Sequence, residues 1–206
     1  MNKVIVKLHK SVISTNNTDK NRVITLIKGT MKKLLTIVIS LLTFAVSAQK
    51  VECHFTQTKF IKASGKTIES EGNLKLYSSD KLEMNYTKPA GDYFIVDGKT
   101  VKMNIKGNKS VVDTEKNASM RGMRNTLMNC ISGNWKQAAT DNNAESSVTE
   151  KGVNKVVTLT AKKTGTRGYS KIIVTYRKSD NLPVELVLEE FNGTITTYKM
   201  SNIVKK

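Results

Sequence analysis

The 206-residue chain is expected to be mostly β, of α+β class. The expected architecture is a curved antiparallel sheet of about ten strands, covered by a central helical lid. Three observations carry that expectation. Apolar residues recur at every second position in short runs bounded by turn residues. One interval between two such β-rich blocks switches to spacings of three and four. Lysines alternate with apolar residues, as in LKLYSSDKLEMNY, and so fall on one solvated face of each strand.

Residues 31–50, MKKLLTIVISLLTFAVSAQK, precede the β pattern and read differently. Lys32 and Lys33 form a positive start, residues 34–46 an apolar stretch, and Val46-Ser-Ala48 places small residues before Gln49. That stretch is shorter than the roughly twenty residues a membrane span needs, and no comparable run follows. A signal peptide over residues 31–48, cleaved near Ala48, is preferred to an uncleaved anchor or a buried core helix. Its position is explained if translation begins at Met31. Residues 1–30 are then an upstream extension, expected to lack stable structure because they have neither a turn-bounded pattern nor a partner segment. Gln49 follows the cleavage point instead of a lipid-accepting cysteine, so no acyl anchor is expected there.

Residues 49–206 are long enough for one domain with a real core. Residues 1–48 hold eight of the 34 basic and one of the 17 acidic residues, which leaves the remainder at +10. On an exported, soluble and monomeric chain that charge suits anionic membrane surfaces or acidic partners, and nucleic acid is not expected. Cys53 and Cys130 both lie in this part. An oxidising compartment would let them form a disulfide, and two buried free thiols are an equal alternative. No metal site is expected: His54 is the sole histidine after residue 48, and a site needs three or four convergent ligands.

Taken in order, the first strand carries Cys53, His54 and Phe55. Alternation continues through Leu74/Leu76, Leu82/Met84/Tyr86 and Val101/Met103/Ile105, with breaks at 78–80, 89–92, 97–98 and 106–108. Asp97-Gly98 is expected to be the central pair of a type I′ hairpin turn. Asn117 then caps a helix on which Met120, Met123, Leu127, Met128, Ile131 and Trp135 form one apolar stripe, with Gly133 at its end. Alternation resumes at 156–161, 172–176, 184–188 and 195–200, with turns at 178–183 and 192–193.

Each strand is apolar on one side only, so the inner face of the sheet needs a cover, and the helix supplies it. Sheet and helix would enclose an apolar space with a mouth. Its expected lining from the sheet is Leu74, Leu76, Leu82, Met84, Tyr86, Met103 and Ile105. From the helix it is Met120, Met123, Leu127, Met128 and Trp135. Such a stripe is also what an ordinary core face looks like, but three methionines make it soft and able to repack around variable apolar shapes. Catalysis finds little support. There is no G-x-S-x-G and no phosphate-cradling glycine loop, and Cys53 and His54 point to opposite faces of a strand. Neither an enzymatic activity nor a cofactor is expected.

The succession Phe55-Thr-Gln57, Gly72-Asn-Leu74-Lys-Leu76, Tyr86-Thr-Lys-Pro89 and Asp97-Gly98 resembles the opening half of the periplasmic outer-membrane lipoprotein carriers, the LolA family. The resemblance implies a strongly curved, unclosed half-barrel of a sheet under helices, whose apolar cavity holds lipoprotein acyl chains, or another lipid, in the periplasm. It also implies an inner-membrane release complex and an outer-membrane acceptor as partners. Two features depart from that pattern. The arginine that follows the GxLxL strand in the family has no counterpart in YSSDKLEMNY, and no helix precedes Phe55 after residue 48. The contrasting expectation is a secreted, non-catalytic β module for adhesion or structure, its core filled by its own side chains.

Overall fold

The computed structural model describes residues 50–205; the upstream extension and signal peptide read over residues 1–48 lie outside the described residues. Strands β1 (Val51–Ile61), β2 (Lys66–Ser78), β3 (Lys81–Lys88), β4 (Ala90–Asp97), β5 (Thr100–Ile105) and β6 (Asn108–Asp113) form a first meander. Helices α1 (Ala118–Ile131) and α2 (Trp135–Asp141) follow. A second meander is built from β7 (Ala144–Lys151), β8 (Asn154–Ala161), β9 (Tyr169–Arg177), β10 (Pro183–Glu190) and β11 (Ile195–Lys205). All pairs are antiparallel, in the order β6-β5-β4-β3-β2-β1-β11-β10-β9-β8-β7. The β1–β11 pair therefore joins the meanders, and among the described residues β6 and β7 are the edges of the sheet.

Alternation decides which side is inside. β1 buries Val51, Cys53 and Phe55, β2 buries Leu74 and Leu76, β3 buries Leu82 and Met84, and β9 buries Ile172, Val174 and Tyr176. Nine of the eleven strands and both helices send buried apolar side chains into one core. Laid flat, eleven strands would hold their edges about 48 Å apart, whereas α1 is about 21 Å long. A core shared that widely requires the sheet to curl around the helices. The eleventh strand beyond the expected ten is explained by β7, AESSVTEK, an edge strand exposed along nearly its whole length that carries no apolar alternation.

The caps of α1 follow local chemistry. The Asn117 side chain accepts the Met120 N–H at 2.9 Å. At the other end Asn134 N–H reaches Asn129 O and Gly133 N–H reaches Cys130 O, with Gly133 at φ +80°, the paired bonds of a Schellman ending. This reversal corrects the single-helix expectation. Trp135 does not continue the α1 stripe; it opens α2.

Turn chemistry also corrects one register. Asp97 pairs with Thr100, so the central residues are Gly98-Lys99, one position later than expected. Only Gly98 takes positive φ, which is the type II′ pattern with glycine first. A type I′ turn does occur, at Lys106-Gly107, where both residues have positive φ.

Candidate functional site: an inner face closed at one end

Antiparallel order sorts every connection to one of two ends of the sheet. At the first end, the base, lie turns 79–80, 98–99, 152–153 and 178–182, together with the 114–117 link into α1. At the second lie 62–65, 89, 106–107, 162–168 and 191–194, together with the 142–143 link into β7.

Helix α1 is moored to the base at both ends. Thr114 donates its N–H and its hydroxyl to Lys99 O at 2.9 and 2.7 Å, and Glu115 pairs with Lys99. At the far end the buried Tyr176 hydroxyl donates to Cys130 O at 2.8 Å, while Gly133 packs on Asn181. Because β6 and β7 are opposite edges, the segment between them has to cross the sheet, and these anchors make α1 cross at the base. The inner-face residues there are sealed: Val51, Leu76, Leu82, Val96, Val101 and Tyr176 are at most 2 % exposed.

Toward the second end the same face opens. Leu74 and Met84 remain buried, Tyr86 and Met103 are half-buried, and Ile68 and Ile105 reach 39 % and 44 % exposure. Ile68 shares the phase of Leu74 along β2, and Ile105 that of Val101 along β5, so this is one face followed along its length. At its centre stands Phe55, fully buried, edge-on to Tyr86 with ring centroids 5.2 Å apart and 6.2 Å from Tyr198. The Tyr86 hydroxyl donates to Gln57 Oε1 at 2.8 Å. Burial, with the nearby Asp92 charge, pushes the Tyr86 phenol up to about 12. Burial raises Tyr169 and Tyr198 as well, so these aromatic groups stay neutral.

The expected lining residues divide accordingly. Leu74, Leu76, Leu82, Met84, Leu127 and Met128 are packed interior. Tyr86, Met103, Met120, Met123 and Trp135 are half-buried against that interior. Ile105, expected to face inward, sits at the open end of its strand and is exposed. Sequence reasoning passed over Phe55 as lining, and also Ile68, Tyr169 and Tyr198. Ile68 carried a usable signal in its even spacing from Leu74.

Cys53 and Cys130 are both buried and both free. His54 lies on the opposite, partly exposed side of β1 from Cys53. Burial alone lifts Cys53 to about 11 and Cys130 to about 12, from an ordinary 9.0. A two-unit rise lowers the thiolate fraction about a hundredfold. The folded protein at pH 8 is therefore expected to react with a thiol reagent at least that much more slowly than the denatured chain. The folded state holds these protons more tightly, so the associated stability is whole below pH 9 and declines as pH climbs toward 11–12. Labelling both states over pH 7–10 checks this; equal rates would contradict it.

Among the described residues no three of His, Cys, Asp and Glu gather as metal ligands, and no helix is long and apolar enough to cross a membrane. Comparison with curated proteins gives no significant match. Solved structures similar to this chain include an outer membrane lipoprotein-sorting protein domain from Vibrio parahaemolyticus, at 10 % identity and TM-score 0.39, covering 76 % of this chain and 85 % of the other. A LolA superfamily protein from Nitrosomonas europaea is 9 % identical, with TM-score 0.37 and coverage of 76 % and 86 %. Lipoprotein LppX from Mycobacterium tuberculosis is 11 % identical, with TM-score 0.34 and coverage of 74 % and 85 %. Residues 46–206 match the family model described as outer membrane lipoprotein carrier protein LolA, and the chain belongs to that family.

Proposed function

We propose that this protein is a periplasmic carrier that holds the acyl chains of a lipoprotein, or another lipid, against the open half of its inner face and moves them toward the outer membrane. The supporting observation is the exposure gradient on that face, sealed at the base and apolar yet half-exposed at the opposite end. Inward-facing apolar side chains left partly wet are a surface awaiting an apolar partner. Each acyl methylene buried there is worth about 0.8 kcal/mol. A face that nearly matches the membrane lets cargo pass to a slightly better acceptor without chemistry. Half-buried Met120 and Met123 on the outer part of α1 give the cover flexible side chains that adapt to different chains. A releasing complex at the inner membrane and an acceptor at the outer membrane complete the route, after removal of residues 31–48 on export.

Mass spectrometry of lipids extracted from protein purified out of the periplasm tests this reading. The wild type is expected to carry lipid. In Met123→Glu, bound lipid should fall about tenfold or more, because a carboxylate would have to be desolvated beside the acyl chain. The site is half-buried, so the new side chain still reaches water and the fold is kept. Lipid-free protein in both samples would replace the carrier with a β module filled by its own side chains.

A further inference from the structure

The connections at the two ends of the sheet differ in charge. Connections at the base carry Lys99, Lys116 and Lys178 against Asp80, Glu115 and Asp180, a balanced set. Connections at the open end carry Lys62, Lys106, Lys162, Lys163 and Arg167, and not one acidic residue. Four ion pairs lie toward the base: Lys99–Glu115, Lys102–Asp97, Arg177–Asp180 and Lys178–Glu150. Among the described residues none of the five open-end cations forms an ion pair, and all five are exposed.

Three of the open-end loops are one surface. The Lys62 stem lies across Gly193, whose φ of +80° and lack of a side chain leave room for it. Gly165 rests on the Phe191 ring, and Phe191 N–H donates to Gly168 O at 3.3 Å. Loops 62–65, 162–168 and 191–194 are thereby held together. The β1–β2 tip adds apolar side chains on both of its faces, Phe60 at 38 % and Ile68 at 39 % exposure, between Lys59, Lys62 and Lys66. Carboxylates do stand on the neighbouring strand ends, Glu69, Asp92, Glu145, Glu189 and Glu190; Glu189 pairs with Lys171 at 3.7 Å, Asp92 accepts the Lys106 N–H at 2.8 Å and Glu190 accepts the Asn192 side-chain N–H at 3.1 Å.

From this placement we infer that the three-loop surface docks on an anionic phospholipid bilayer and sets the open end of the inner face against the headgroups. Unpaired cations add attraction to a negative surface, and Phe60 and Ile68 enter the interfacial layer, a combination that an acidic protein surface would not reward. The inference rests on the carrier reading for what docking achieves. Its chemistry depends on the loops and the β1–β2 tip alone.

The test is partition of the full chain onto vesicles of phosphatidylcholine, with and without about one-third phosphatidylglycerol. The triple variant Lys62→Ser, Lys163→Ser, Arg167→Ser is compared with a base variant of equal charge loss, Lys81→Ser, Lys116→Ser, Lys151→Ser. All forms share residues 1–49, so differences report the substituted positions. At about fivefold per charge, the open-end triple is expected to lose about a hundredfold in affinity for anionic vesicles. The base triple should lose less than about threefold, and Phe60→Ser with Ile68→Ser should weaken binding at high salt, where charge is screened. Equal losses in the two triples, or equal binding to neutral vesicles, would overturn the inference. Lipid-free protein that still partitions through Lys62, Lys163 and Arg167 would remove the carrier reading and leave docking in place.

Discussion

Gly72→Ala is expected to destabilise the domain by about 3 kcal/mol or more, lowering its thermal midpoint by about 6–12 °C. A methyl group on Gly72 would overlap the carbonyl oxygen of Asn85 and stand 2.8 Å from Tyr86 Cα, both backbone atoms of β3. Side chains can rotate away from such a contact; a paired strand cannot. The β2–β3 register shifts between Glu71 and Gly72, where the two backbones close up on each other. Gly122→Ala is the matched control. Gly122 lies exposed within α1 with nothing within 4 Å of a new methyl, and alanine there should add about 0.5–1 kcal/mol through helix propensity alone. Urea unfolding of both variants decides the matter, and a loss below about 1 kcal/mol at Gly72 would show that β3 yields.

Phe55→Ala is expected to cost about 3–5 kcal/mol. Phe55 is fully buried at the middle of the inner face, with Tyr86 and Tyr198 rings against it, and three strands, β1, β3 and β11, meet through that cluster. Removing it deletes the buried area and the edge-on contacts together. Tyr86 is also held by its hydroxyl bond to Gln57, which limits how far the neighbours can collapse into the gap. Equilibrium unfolding in denaturant measures the loss; a value near 1 kcal/mol would mean that the aromatic cluster repacks freely and that Phe55 does not support the open half of the face.

Much of this molecule was legible before any coordinates. The parity of Leu74/Leu76 and Leu82/Met84 put those side chains inside, as they are. Asn117 and Gly133 marked the ends of α1, since capping depends on residues only a few positions apart. The hairpin at Asp97 was visible but its register was not, because Asp97-Gly98 and Gly98-Lys99 are both acceptable central pairs and strand pairing chooses between them. Trp135 fitted the α1 stripe by spacing, yet the reversal at Gly133 sends it into another helix. β7 escaped notice because a polar edge strand buries nothing that would impose a period.

Val101 and Ile105 show where sequence reasoning stops. They share a strand, a phase and an apolar character, but one is fully buried and the other 44 % exposed. Val101 lies toward the base and Ile105 at the opposite end of the strand, and α1 is moored to the base by contacts such as Tyr176 to Cys130, 46 residues apart in the chain. The same holds for the unpaired cations, which are scattered through the sequence until antiparallel order gathers them at one end. The amino-acid order by itself determined strand phase, helix caps, most turns and the family, because each depends on neighbours in sequence. Which end stays open, and which charges ring it, only the tertiary structure decided, because curvature and the β1–β11 pairing bring together residues some 140 positions apart.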